Sequence, residues 1–199
     1  DKRALSALFN DLSGHAAIPE YVIDVLRAMP QDSHPMAMLS TAILTMERES
    51  TFRKMYAQGM SKKDYWKPVL DDSIKLLAVL PGIAAAVYRI HFNKGDLIPY
   101  EKELDWGGNF AHMLGIEDPT GDFANLIRLY LVLHSDHEGG NVSAFSCQTV
   151  GSALSDVFYA VSAGLNGLAG PLHGLANQEC LKFVLKINEH YDGTPTKEE

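Results

Sequence analysis

Along 61–95 apolar residues recur at helical spacing, through Leu70, Ile74, Leu77, Ile83, Val87 and Ile90. A pattern that long commits the stretch to helix. Ser61 and Asp64 form a start resembling a capping box, Gly95 supplies a stop, and Pro81-Gly82 is expected to kink the helix rather than end it. The flanking sequence has the same period. Pro19 stands where a first-turn proline belongs, ahead of Val22, Val25, Leu26 and Met29, and Pro30 stops that helix. Pro35 opens the next, with Met36, Leu39, Ile43 and Met46 on one face. Ala37, Ser40, Thr41 and Ala42 make it slim, which suits either core filling or a close helix–helix contact, within or between subunits. The stretch 104–114 is a shorter helix closed by Gly115, and Thr120 caps a segment with Leu126, Leu129, Tyr130 and Leu133 on one stripe. The stretches 141–154 and 157–168, rich in Ala, Ser and Gly, are expected as tightly packed buried helices, and 175–187 as a final amphipathic one. No alternating strand pairs, no βαβ rhythm and no repeat interrupt this pattern. The predicted class is all-α.

With 199 residues and 46% hydrophobic content the chain can bury one sizeable core, as one domain or one domain plus a piece of a second. A formal net charge of −8 argues against a nucleic-acid surface. No run of about 18 uninterrupted apolar residues occurs, so no membrane span is expected. Cys147 and Cys180 lack metal-type spacing and fit a reducing compartment as small buried residues, with a disulfide between them left open. The chain begins at Asp1 without an initiator methionine or targeting segment and ends in the polar stretch 194–199. Both ends are expected to be cuts in a longer protein.

Two clusters could carry chemistry. The first is His134-Ser135-Asp136-His137-Glu138-Gly139-Gly140-Asn141, at a helix end and the loop after it. Two histidines three apart among carboxylates suggest a metal, but the pattern is not His-Glu-x-x-His and neither helix face supplies a further ligand. No metal is expected. The alternative is a polar loop whose histidines cap carbonyls at a helix C-terminus. The second cluster spans 166–178, where glycines and Pro171 make a sharp break between apolar helices and His173 stands at the break. A helix starting near Gly174 would set His173 against its positive end, a field that disfavours the imidazolium. A neutral imidazole there could donate a hydrogen bond to a developing enolate oxygen. The residues equally allow a histidine that only packs at a tight corner.

The segments His-Ser-Asp-His-Glu-Gly-Gly-Asn-Val-Ser-Ala (134–144), Val-Gly-Ser-Ala-Leu-Ser-Asp (150–156) and Asn-Gly-Leu-Ala-Gly-Pro-Leu-His-Gly-Leu-Ala-Asn-Gln (166–178) resemble the citrate synthase family, in its eukaryotic mitochondrial branch. His34-Pro35, Tyr65-Trp66 and Leu104-Asp105-Trp106 fall in matching order upstream, so the resemblance covers nearly the whole chain. It implies condensation of acetyl-CoA with oxaloacetate, in the tricarboxylic acid cycle of the mitochondrial matrix. Acetyl-CoA is then a substrate, and no cofactor is expected. The family pattern puts the enol-stabilising histidine at His173 and an oxaloacetate-binding histidine at His137, with Asn141 also in the substrate region. Ser143 matches the serine that holds the catalytic imidazole, and His134 a supporting position behind the site. The resemblance further implies a homodimer, with the slim helix after Pro35 and the long helix after Ser61 as interface candidates. It makes 1–173 part of a large domain and 174–199 the start of a small one, with a hinge at the glycine-rich turn.

The chain also departs from the pattern. The family's catalytic aspartate, its second catalytic histidine and the arginines that clamp oxaloacetate find no match within these residues. Arg3, Arg27, Arg48, Arg53, Arg89 and Arg128 lie in neither cluster, although a dicarboxylate calls for bidentate arginines. Taken alone, the 199 residues are therefore expected to be inactive. Where the family usually has Ser-Ala-His-Thr, this chain has Ser143-Ala144-Phe145-Ser146. That leaves room for 2-methylcitrate synthase or for a non-catalytic structural paralogue.

Overall fold

The computed structural model of the chain describes residues 1–135, 139–191 and 193. Among them every regular element is helical: α1 (Lys2–Gly14), α2 (Glu20–Ala28), α3 (Pro35–Thr45), α4 (Thr51–Ala57), α5 (Trp66–His91), α6 (Trp106–Leu114), α7 (Asp122–Leu133), α8 (Val142–Ser152), α9 (Val157–Leu168) and α10 (Ala176–His190). The all-α expectation holds. The boundaries follow local chemistry. His34 Nδ1 accepts the Met36 N–H at 3.1 Å ahead of Pro35 at the start of α3. Asp105 and Asp156 cap α6 and α9 through their carboxylates. Gly115, at φ 72°, ends α6 in the left-handed conformation a glycine adopts without strain.

The 26-residue α5 is the axis of the core. Helices α1, α2, α3, α4, α6 and α9 all pack on it. Val22 and Leu26 of α2, Met38 and Ile43 of α3, Ile83 of α5 and Phe158 of α9 converge there with almost no exposure. The slim face of α3 is used inside the chain, where Ser40 and Ser162 hydroxyls meet at 2.8 Å between α3 and α9. By length and apolarity α5 could cross a membrane. Half of that apolar stretch is buried inside the protein, and its buried Asp72 and Arg89 are hydrogen-bonded within the chain. Asp72 accepts from the Ser50 hydroxyl and from the Thr51 and Phe52 N–H groups at 2.9–3.1 Å, which caps α4 from another helix.

Several local expectations are corrected. The capping box at Ser61 and Asp64 does not form, because a 3-10 turn (Lys62–Asp64) intervenes and Asp64 turns to Lys67 at 2.8 Å. The long helix begins at Trp66 and ends at His91, ahead of Gly95. As expected, Pro81 does not end the helix. Proline supplies no N–H to the carbonyl four residues back, and the indole N–H of Trp106 on α6 donates to that Leu77 oxygen at 2.8 Å. Thr120 is not the cap of α7. Gly121 takes that position, and the Asp118 carboxylate accepts the Phe123 and Ala124 N–H groups at 3.0 and 2.9 Å. Helix α8 buries no residue, and Phe145 lies 65% exposed on its outer side. Only α9 of that pair is buried on one face. Cys180 is exposed and Cys147 partly buried, and both are free thiols.

Asp118 provides a test of the α7 start. Its carboxyl is held below the usual range chiefly by the Ala124 N–H, with desolvation opposing and the Phe123 N–H adding. A lowered folded value stabilises above about pH 4, the ordinary carboxylate value, and that stabilisation is lost as pH falls through the folded value. Asp118→Ala is expected to melt below the parent at neutral pH, with the gap closing in acid. Thermal melts across pH check this, and a pH-independent gap would refute the charged cap.

Candidate functional site

Helices α8 and α9 form a hairpin in which the start of α8 faces the end of α9. Glycines make the approach close. A methyl group at Gly164 would meet the Ser143 carbonyl oxygen at 3.0 Å and Cys147 Cβ at 3.2 Å. Beyond α9 the chain folds back through 169–175, where the His173 and Gly174 N–H groups both donate to Gly170 O at 3.0 Å. Gly174 lies so near the Leu168 carbonyl that no side chain fits there. This turn carries His173, partly buried, to the first turn of α8.

There His173 Nε2 meets Ser143 Oγ at 2.9 Å. The Ser143 hydroxyl donates to Asn141 Oδ1 at 2.6 Å, and the same oxygen accepts the Ala144 N–H at 2.9 Å as the cap of α8. Asn141, Ser143 and His173 are thus brought into one hydrogen-bonded chain. His134 is placed differently. It is the exposed C-cap of α7, its Nδ1 bonded to Tyr130 O at 2.7 Å and its ring stacked on Tyr130 at 4.0 Å. His137 lies outside the described residues. Helix α10 begins at Ala176 rather than near Gly174, so His173 belongs to the turn before the helix and not to its first turn.

One side chain at the site was not anticipated from the sequence. Tyr130, expected only as part of an apolar stripe, accepts a 2.5 Å hydrogen bond from Asn177 Nδ2 and so links α7 to the start of α10. The signal was present in the four-residue spacing of Tyr130 and His134, which places both on one helix face. Among the described residues no group of three His, Cys, Asp or Glu could hold a metal ion. A cavity of about 480 Å³ elsewhere is lined by Ala16, Ile23, Gly82, Ala86 and Met113, and none of the motif residues lines it. What the motif geometry offers is an imidazole anchored at Nε2, able to hold or pass a proton at Nδ1.

Gly164 tests whether this closeness matters. Gly164→Ala is expected to push α8 off α9 and cost about 1–3 kcal/mol. Urea unfolding measures it, and an unchanged midpoint would show that α8 yields without strain.

Fold and site define an all-helical protein whose glycine-rich turn suspends a histidine over the start of a helical hairpin. The family model for the citrate synthase C-terminal domain matches residues 1–197, and the chain belongs to the citrate synthase family. It is 50% identical over 194 residues to mitochondrial citrate synthase of Saccharomyces cerevisiae, covering 98% of this chain and 40% of that one. It is also 51% identical over 182 residues to mitochondrial 2-methylcitrate synthase of Fusarium solani, covering 90% of this chain and 39% of that one. The crystal structure of citrate synthase from Pyrobaculum aerophilum superposes with a TM-score of 0.83 at 28% identity, over 94% of this chain and 46% of that one. The chain spans about two fifths of the length of the curated relatives it matches.

Proposed function

We propose that the protein is a citrate synthase, joining acetyl-CoA to oxaloacetate and releasing citrate and CoA. The observation that carries this is the bond between His173 and Ser143, formed by two segments that both match the family motifs. The acetyl methyl loses a proton to a carboxylate base, and its carbonyl oxygen becomes an enol oxygen that His173 stabilises. The enol carbon then attacks the ketone of oxaloacetate, held by His137, and the ketone oxygen takes up a proton. Water finally cleaves the thioester, releasing CoA as the thiol. No cofactor enters this chemistry. The base and the arginines for the two carboxylates are not matched within this chain, so the full-length protein is the unit that acts.

The same reading makes the protein a homodimer of the mitochondrial matrix, with no nucleic-acid or membrane partner, as the compartment in the relatives' names supports. Residue 174 onward begins a second domain in this reading. The alternative, 2-methylcitrate synthase, is represented by a relative of similar identity, 51% over 182 residues. A CoA-thiol release assay on the full-length protein, with oxaloacetate and either acetyl-CoA or propionyl-CoA, separates the two. Acetyl-CoA is expected to be preferred. Preference for propionyl-CoA would move the assignment to 2-methylcitrate. A folded dimer that releases CoA from neither would make the protein a structural paralogue.

A further inference from the structure

We propose, taking His173 as the reacting imidazole of that condensation, that Tyr130 is a positioning residue which fixes the α10 side of the turn carrying His173. On the α8–α9 side that turn is already held. Ser143 meets the ring from α8, and the His173 and Gly174 N–H groups tie the backbone to Gly170 O. On the other side the turn runs into α10, none of whose residues is buried within this chain. Hydrogen bonding rather than packing therefore fixes that end. Asn177, in the first turn of α10 and four residues past His173, donates from Nδ2 to the Tyr130 hydroxyl at 2.5 Å.

Tyr130 is itself a fixed point. Its ring stacks on His134 with centroids 4.0 Å apart, and His134 Nδ1 bonds to Tyr130 O at 2.7 Å, so ring and backbone are braced together. Helix α7 is bound in turn to α6, where Arg128 Nε donates to Asp105 at 2.8 Å, and α6 to α5 through the Trp106 indole. A continuous path thus runs from the core through α6, α7, Tyr130 and Asn177 to the turn. An imidazole aimed at a developing enol oxygen works only from the right place, and a misplacement of about 1 Å can cost about a hundredfold in rate. Tyr130 acts through Asn177, on where the imidazole stands, and exchanges no proton with the substrate. His134 then serves as the brace of Tyr130.

In the full-length protein Tyr130→Phe keeps the ring that stacks on His134 and removes only the hydroxyl. Hydrogen exchange read by mass spectrometry is expected to quicken across 169–178 by about threefold to tenfold, the weight of one hydrogen bond, with α3 and α5 unchanged. CoA release should lose about tenfold in kcat, while KM for oxaloacetate stays near that of the parent. Asn177→Ala cuts the same bond from α10 and should match, and it serves alone if Tyr130→Phe does not fold. The double variant should be no worse than either single one. Asn177→Asp offers the Tyr130 hydroxyl an acceptor and should restore both readouts. A bond that served stability alone would lower Tm and leave kcat at the parent value, which would overturn the inference. Unchanged exchange across 169–178 in both Tyr130→Phe and Asn177→Ala would overturn it too. Faster exchange in variants of a parent that condenses neither thioester would leave the tether standing and remove the citrate synthase reading instead.

Discussion

Replacing His173 by alanine in the full-length protein is expected to lower kcat by about a hundredfold to ten-thousandfold. The reason lies in when the contact matters. A group aimed at the enol oxygen gains strength as charge develops there, so its loss falls on the chemical step more than on binding. His137→Ala is expected to weaken oxaloacetate binding more than His173→Ala does, because His137 is assigned to the ketone and His173 to the acetyl group. A histidine that only packed the 169–175 turn would behave otherwise, lowering thermal stability while leaving kcat near normal in the folded fraction. Steady-state kinetics paired with melting curves distinguish these outcomes. A His173→Ala enzyme within about threefold of the parent kcat, far short of that range, would overturn the assignment.

The largest stability effect is expected at Arg89. Its guanidinium, buried beside α6, donates to Asp96 O at 2.7 Å, to Leu114 O at 3.0 Å and to Lys94 O. It thereby ties the end of α5 to the loop after it and to the C-terminus of α6. Arg89→Met keeps much of the volume but strips three carbonyls of a charged donor. Charge-assisted hydrogen bonds of this kind are worth about 1.5–3 kcal/mol each, and the loss of several is partly offset by relaxation and water entry. A destabilisation of about 3 kcal/mol or more is expected, lowering Tm by roughly 6–12 °C for a chain of this size. A shift below about 2 °C would show that solvent already serves those carbonyls.

Much of the helical plan was legible because helix ends are local. Pro35 at a first turn, Gly115 with its left-handed φ, and the full extent of α9 followed from residues within a few positions of each other. Where the expectation failed at a helix start, another nearby side chain had taken over. Asp64 turned to Lys67 instead of capping, and Asp118 accepted from the α7 N–H groups that Thr120 was expected to cap. Sequence period could not show that the indole N–H of Trp106 would serve Leu77 O, or that Asp72 of α5 would cap α4. Those partners meet only after the helices pack.

The same division applies to the site. From sequence alone came the all-α class, the two clusters, the family resemblance and the choice of His173 as a candidate, because motif residues and helical period are properties of order along the chain. Tertiary structure decided which motif residues meet. It joined Asn141, Ser143 and His173 while holding His134 against Tyr130 as a helix cap. It also decided burial, leaving α8 open and closing one face of α9, although both are rich in small residues. Composition states what a helix can bury, but only its neighbours in space determine what it does bury.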